Sequence, residues 1–283
     1  MNDRLTALSQ IKIDTLVNMI KMAYAFENWE EVISLSESLL EIANLTKYSE
    51  RQMQCSDSME KPVVYYFGYS YLMKGLALQK LRAYTESIDC VIRYSDLSWV
   101  EDTNQENKYY TDSFKVFAKA NLLTLEILLG NKDKLPDYIE VLHENEDEIL
   151  PGLITVVESA LVHDFNADLQ ITQLVPYISN YHHYNRPVRI AYYLTVHYLL
   201  ALYHYKNKKY SDAINFTLHN LTISDRLGND KYFKKSVALF ELLKTHATVP
   251  QITEYSSILN SILKGEIENE ESFDLNSIIG SAE

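Results

Sequence analysis

The chain has 283 residues, of which 47% are hydrophobic while only 7 are Gly and 6 are Pro, so it has enough apolar material for a core and few helix breakers. The scarcity of Gly disfavours all-β folds and phosphate-binding loops, which need Gly where φ is positive, and it favours long helices. The formal net charge of −13 argues against direct binding of nucleic acid, because phosphates repel an acidic chain that has no dense run of Lys and Arg.

The chain up to residue 107 predicts two helix pairs. Apolar residues recur there at three- and four-residue spacing, which is the pattern of amphipathic helices. Asn28 and Glu31 have the spacing of a capping box at the start of the second helix, and two helices joined by so short a turn lie antiparallel. The predicted helices are 13–24, 32–43, 62–81 and 84–92, with a loop or frayed helix at 44–61 and a linker at 98–107.

The rest of the chain continues the helical pattern, and no strand is predicted. Gly130 and Gly228 are each expected to follow a helix C-terminus, where Gly is favoured. Pro136, Pro151 and Pro187 suit the first turns of helices. The predicted helices are 109–129, 135–143, 149–164, 169–181, 187–205, 210–227, 232–246 and 250–263.

The last residues form an acidic segment. We expect Gly265 to end the final helix, and 266–283 contain six acidic residues and no basic one. Such a composition is typical of disorder. The predicted domains are therefore a helical-repeat domain over 1–265 and an acidic, disordered tail over 266–283.

Three helix pairs share one spacing. In each pair, a residue in the middle of the first helix is followed nine residues later by an aromatic that opens the second helix. A further contact residue lies three residues after that aromatic. Gly or Ala at the first position would let two helices approach closely. The three sets are Ile20, Trp29 and Val32; Gly75, Tyr84 and Ser87; and Ala201, Tyr210 and Ala213.

This pattern resembles the tetratricopeptide repeat. The resemblance implies an all-α fold in which antiparallel helix pairs stack into a right-handed superhelix, an α-solenoid, because one pair cannot bury its own apolar face. The aromatics Trp29, Tyr84 and Tyr210 are not separated by multiples of 34 residues, so inserted segments must separate the units, and 109–181 fits the pattern poorly.

The long, Tyr-rich repeats also resemble the peptide-sensing domains of the RRNPP group of Gram-positive bacteria, the Rap, Rgg, NprR, PlcR and PrgX types. The segments GLAL at 75–78, YTESI at 84–88 and FAKANL at 117–122 carry this resemblance. It implies a quorum-sensing receptor for a short signalling peptide. Many such regulators open with a DNA-binding helix-turn-helix domain, and the Rap type opens with a three-helix bundle; here the repeat pattern begins near Ile13, and neither is evident. We therefore expect a sensor domain without the usual output domain.

Catalytic and metal motifs are not found in the sequence. There is no G-x-S-x-G, no P-loop and no G-x-G-x-x-G. His197 and His204 are seven residues apart, whereas helical zinc pairs lie three or four apart, and the acidic run at 144–148 lacks the order of an EF-hand loop. Cys55 and Cys90 are too few for a disulfide framework. We expect neither enzymatic activity nor a cofactor or metal.

The 22 tyrosines are the most unusual feature of the composition, and several lie on predicted first helices of pairs. Tyr offers a large amphipathic surface with few rotatable bonds, although tyrosines also fill gaps between helices. Aligning first helices on Gly75 and Ala201 places a set of residues on the inner face. Asn121 would occupy an inner-face position of the poorly matched unit, where its amide offers both a donor and an acceptor to a peptide backbone. The candidate peptide-binding residues are Tyr69, Lys80, Asn121, Tyr198, Tyr205 and Lys206.

The expected function is non-catalytic binding. One hypothesis is an intracellular receptor for a short peptide that regulates transcription or a phosphorelay; the other is a general scaffold for a protein partner. Homodimerisation is compatible with either hypothesis. The first ten residues lack the apolar segment of a signal peptide, and no apolar run reaches the roughly 20 residues that span a bilayer. We therefore expect a cytoplasmic location, with no membrane and no nucleic acid among the partners.

Overall fold

The computed structural model describes residues 12–50, 59–100, 105–179, 181–184 and 186–279, and for 48–50 and 265–279 it describes the backbone alone. Over this part of the chain every regular element is a helix and there is no strand, as the sequence predicts. The chain divides into two compact units, Met1–Val141 and Leu142–Glu283. None of the described helices is both long and apolar enough to cross a bilayer.

Helices that follow one another along the chain mostly pack together. The first unit contains α1 (Ile13–Ala25), α2 (Trp29–Glu50), α3 (Val63–Lys80), α4 (Tyr84–Ser95) and α5 (Gln105–Leu128). Each of these packs on the next, and α5 also contacts α3. Helix α6 (Leu135–His143) crosses the unit boundary, and the second unit contains α7 (Ile149–His163), α8 (Asp168–Leu174), α9 (Pro187–Lys206), α10 (Tyr210–Arg226), α11 (Asp230–Leu243) and α12 (Val249–Ile279). In that unit α9 packs on α7 and α10, while α10 packs on α11 and α12.

The predicted contact of Gly75 with the second helix of its pair is confirmed. A Cβ atom at Gly75 would lie 3.2 Å from the Cβ of Cys90, on α4. The Ser87 hydroxyl donates a 2.8 Å hydrogen bond to the Gly75 carbonyl, so the two helix backbones are joined where they are closest. The corresponding Ala201 and Ala213, which belong to α9 and α10, are both fully buried.

One turn recurs after the first helix of three pairs. Glu27, Arg82 and Lys208 adopt φ of 56°, 62° and 59°. In each case the amide of the following residue donates to the carbonyl five positions earlier, as Ala83 does to Leu78 at 2.9 Å. This is a Schellman motif, which satisfies the last carbonyls of one helix and starts the next helix two residues later. Gly130 and Gly228, with φ of 89° and 59°, make the same turn, as their predicted place after a helix requires.

Two polar segments extend or divide the predicted helices. Helix α2 continues to Glu50, and within it the side chains of Asn44 and Thr46 donate to the carbonyls of Leu40 and Ile42, one turn earlier. For the segment 44–61, the helical alternative is confirmed over 44–50 and the loop alternative over 59–61, while 51–58 lie outside the described residues. The helix predicted over 169–181 is confirmed as far as Leu174, where α8 ends, but its continuation to Tyr181 is wrong. A 3₁₀ turn, Val175–Tyr177, follows α8, because Pro176 lacks the amide proton that would continue the helix.

The expected end at Gly265 is also wrong, since α12 runs through it to Ile279. A glycine inside a helix costs roughly 1 kcal/mol relative to Ala, which neighbouring residues with good helix propensity can offset. The division into a repeat domain over 1–265 and a tail over 266–283 stays a prediction.

Cys90 is buried, and Cys55 lies outside the described residues.

Two further small residues, not singled out in the sequence, also allow close contacts. A Cβ at Gly68 would lie 2.2 Å from the Phe114 ring, so α3 and α5 touch through this glycine. In the second unit, a Cβ at Gly152 of α7 would lie 2.4 Å from the Leu142 side chain. Both separations are too short for a real side chain, so any larger residue must displace its neighbour.

Gly75→Leu is expected to lower the free energy of unfolding by about 1–3 kcal/mol, because the added side chain overpacks the contact with Cys90. Gly75→Ala is the control, since a single Cβ needs a shift of only a few tenths of an ångström and gains helix propensity. Urea denaturation followed by circular dichroism measures both. An unchanged midpoint for the leucine variant would mean that α3 and α4 are not in contact at this position.

Arg82→Gly is expected to stabilise the protein by about 0.5–1 kcal/mol relative to Arg82→Ala. A residue with a Cβ atom is strained at positive φ, whereas Gly is not, and this gain exceeds the entropy that Gly loses on folding. Arg82 is exposed, so both variants remove the same solvated side chain. Equal stability of the two variants in urea would contradict the left-handed conformation.

Candidate binding surfaces

In the first unit, tyrosines of α3 and α5 form an aromatic cluster. Tyr65 stacks on Tyr69 with ring centroids 5.4 Å apart, and it meets Tyr110 edge-on at 5.2 Å. Tyr69 is half-buried, and burial raises the pKa of its hydroxyl, so the phenol remains a hydrogen-bond donor at neutral pH. The predicted residue Tyr69 thus belongs to a packed aromatic layer that is partly open to solvent.

Asn121 is engaged within the first unit. Its side-chain nitrogen donates a 2.7 Å hydrogen bond to the hydroxyl of Tyr94, which is buried. Burial raises the pKa of Tyr94 to about 12, although the bond from Asn121 acts in the opposite direction. The Tyr94 ring lies 6.2 Å from Phe114, which in turn lies 6.5 Å from Tyr65. Asn121 and Tyr69 are therefore connected through one aromatic cluster.

Lys80 lies apart from that cluster. It is exposed in the last turn of α3, three helical turns and about 16 Å along the axis from Tyr69. Its charge suits the negative end of the α3 dipole. The structure therefore links Tyr69 to Asn121 through the rings of Tyr65, Phe114 and Tyr94, whereas Lys80 lies outside this chain of contacts.

In the second unit, Tyr198 forms the centre of a basic and aromatic patch. The Lys235 ammonium lies 5.1 Å from the Tyr198 ring centroid and 5.2 Å from that of Tyr232. The two rings meet edge-on at 6.1 Å, and the Tyr232 hydroxyl shares a 2.6 Å hydrogen bond with that of Thr195. We call Thr195, Tyr198, Tyr232 and Lys235 the Tyr198 patch. Its residues come from α9 and α11, and α11 is the helix that follows the α9–α10 pair.

Tyr205 and Lys206 do not join the patch. Tyr205 is half-buried and packs against Tyr210, which opens the next helix, at 6.3 Å. Lys206 donates a 2.8 Å hydrogen bond to the Leu161 carbonyl and forms a 2.8 Å ion pair with Asp164, the left-handed residue that ends α7. Lys206 therefore caps a helix C-terminus, a role that spacing along α9 alone does not reveal.

Three residues of the Tyr198 patch were not among the sequence candidates. Thr195 has the helical phase of Tyr198, and the repeat alignment places both on the inner face of α9. Lys235 and Tyr232 belong to α11, whose end is a 3₁₀ turn, Lys244–His246, and not a Schellman turn. The spacing between the middle of a first helix and an aromatic that opens the next helix is therefore missing at α11. For this reason the sequence pattern did not identify Tyr232 and Lys235.

A second polar cluster in this unit surrounds His197. Its Nδ1 lies 2.8 Å from the Tyr193 carbonyl, which can only accept, so Nδ1 carries the proton. The His219 ring lies 4.6 Å from His197, and His219 Nε2 is 2.7 Å from the Tyr193 hydroxyl. Burial is the main cause that lowers the pKa of His197 to about 4, and the nearby His219 acts in the same direction. Among the described residues, no group of three or more His, Cys, Asp or Glu is placed to hold a metal ion.

Comparison with protein-family profiles, with curated proteins and with solved structures gives no match for this chain.

The stability of the second unit should fall as the pH drops from about 6.5 towards 4. The folded state keeps His197 neutral, whereas the unfolded chain binds a proton below its ordinary pKa of about 6.5, so protons favour unfolding in this range. The full effect is about 3 kcal/mol. His197→Gln keeps a donor without the titration and should reduce the pH dependence in urea denaturation, although part of it should remain because burial also lowers the pKa of His204 and of His219. Parallel curves for the unmodified protein and the variant would contradict a buried neutral His197.

Proposed function

We propose that this chain is a non-catalytic binding protein of the tetratricopeptide type that holds a short peptide. The observation that carries the proposal is the Tyr198 patch, where an exposed ammonium lies over two tyrosine rings on adjacent helices. The recurring Schellman turns and the close contacts at Gly75 and Ala201 support the repeat relationship.

The Tyr198 patch has the chemistry that a peptide needs. Lys235 supplies positive charge in a chain whose net charge is −13, so it offers local attraction to a terminal or side-chain carboxylate. The Tyr198 ring supplies apolar area, and its partial burial reduces the conformational freedom that binding would remove. Tyr232 is buried and bonded to Thr195, which holds its ring in place.

The proposal also covers how the helix pairs are arranged and which process the protein regulates. The helix pairs would stack into a right-handed solenoid, and the protein would act in the cytoplasm as a quorum-sensing receptor whose output, transcription or a phosphorelay, is carried by another protein or by a second copy. The resemblance to the RRNPP sensor domains supports this role. Asn121 and Tyr69 are separate candidates within the first unit, where Asn121 would use the donor and acceptor capacity that its bond to Tyr94 leaves available.

A scaffold for a folded partner is the second candidate. It is favoured by an exposed apolar stripe on α5, where Tyr109, Val116 and Phe117 are 66%, 67% and 48% exposed. Apolar side chains that cluster on the surface are typical of protein interfaces. A flat partner face would cover such a stripe, whereas a short peptide would be expected at the Tyr198 patch.

The double variant Tyr198→Ala with Lys235→Ala should retain at least tenfold less peptide from the culture supernatant of the source organism than the unmodified protein. The two substitutions remove the cation and the ring that it covers, and each lost contact is worth about 1 kcal/mol. Peptides bound to the immobilised protein are identified and quantified by mass spectrometry. Circular dichroism confirms that the variant is folded.

The matched control is Tyr109→Ala with Lys115→Ala, which removes an exposed tyrosine and an exposed lysine from α5. It should retain peptides as the unmodified protein does. If no peptide is enriched and the control variant instead loses a protein partner, the peptide hypothesis is wrong and the scaffold is favoured.

A further inference from the structure

A groove runs between α10 and α12 in the second unit. It has two connected parts of about 440 Å³ and 310 Å³, and Thr222, Arg226 and Glu254 line both. His219 lines the larger part and Ser257 the smaller. We call this the α10–α12 groove; it has no residue in common with the Tyr198 patch. Its volume is within the range of sites that hold small ligands or the ends of peptides.

One end of the groove is fixed by a side-chain bridge. The Gln251 amide nitrogen on α12 donates to the Asn215 side-chain oxygen at 2.7 Å and to the Ser211 carbonyl at 3.3 Å. The Gln251 side-chain oxygen accepts from the Thr248 amide at 3.0 Å, so the bridging side chain is itself held in place. Since Gln251 is buried, this network sets the spacing of the two helices before any ligand binds.

The walls of the groove carry charges of both signs. Arg226 lies on α10 next to Asp225, which also lines the smaller part, and Glu254 lies on α12; all three are exposed. Among the described residues, no ion pair within 4.0 Å joins Arg226 or Glu254 to a group of opposite charge. The Arg226 guanidinium presents a planar fork of donors that matches a carboxylate, while Glu254 can only accept.

The larger part of the groove is lined mainly by polar residues and has a small apolar area at its base. Leu218, Ile223 and Tyr181 supply this area and are only 2%, 5% and 8% exposed, so they offer a small apolar contact. A ligand that fits this arrangement has a carboxylate, a nearby N–H group and an apolar side chain. A free apolar amino acid has all three groups, and so does an apolar residue at the C-terminus of a peptide.

We propose that the α10–α12 groove binds such an α-carboxylate, with Arg226 on the carboxylate, Glu254 accepting from the adjacent N–H group, and Leu218 and Ile223 contacting the apolar side chain. A free amino acid and a peptide C-terminus have this chemistry in common. They differ in the N–H group, which is a charged ammonium in the first and a neutral amide in the second. Glu254 therefore distinguishes the two sources.

Isothermal titration calorimetry with three probes tests the proposal: N-acetyl-Ala-Ala-Leu with a free carboxylate, the same peptide as its C-terminal amide, and free L-leucine. At least one of the two carboxylate probes should bind, and the amide should bind at least tenfold more weakly than the free-acid peptide if the peptide is the ligand. Arg226→Gln should weaken the binding at least tenfold. Arg93→Gln is the matched control, because Arg93 is also exposed in the last turn of a helix, in the first unit.

Glu254→Gln then identifies the source. It should weaken leucine binding by removing the partner of an ammonium, whereas it should leave binding of the acetylated peptide unchanged or strengthen it by removing a charge that repels the carboxylate. Three results would overturn the proposal: equal affinity for the free-acid and amide peptides together with no leucine binding, no effect of Arg226→Gln in a folded protein, or no binding of any probe at millimolar concentration.

Discussion

The close approach of two helices at Gly75 is the contact on which the first unit most depends. It lets α3 and α4 pack closely, with the Ser87 hydroxyl bonded to the Gly75 carbonyl. The Schellman turn at Arg82 makes this antiparallel packing possible with a short connection, because it reverses the chain within three residues while still satisfying the carbonyls of α3. Ala201 and the turn at Lys208 do the same in the second unit.

Features that depend on nearby residues could be predicted from the sequence. The turns before Tyr84 and Tyr210 were located from spacing alone, and Asn28 accepts from the Glu31 amide at 3.3 Å, as the predicted cap requires. The end of α12 could not be predicted, because a single glycine such as Gly265 stops a helix only when the chain gains more by turning than by continuing. That balance is set by contacts distant in the sequence.

For the candidate binding residues, too, contacts with residues distant in the sequence could not be predicted. Helical phase along α9 places Tyr198 on the face that meets α11, but it does not predict that the Lys235 ammonium lies over the Tyr198 ring. Phase does not show that the Asn121 amide bonds Tyr94 or that Lys206 bonds the end of α7. Partners such as these lie 27 and 45 residues away along the chain, so no local pattern contains them.

The basic residues of this acidic chain therefore divide by what they contact. Lys74 pairs with Glu37, Lys206 with Asp164 and Lys209 with Asp168, so a carboxylate of the chain already lies beside each of these lysines. A ligand carboxylate would have to displace that partner, and exchanging one exposed ion pair for another gains little binding free energy. Lys235, which lies over tyrosine rings, and Arg226, which lines the α10–α12 groove, have no ion pair within 4.0 Å among the described residues, so a ligand anion would not have to displace a carboxylate there. For the proposed binding sites, the number of cations in the sequence therefore matters less than which of the described ones the fold leaves without a carboxylate.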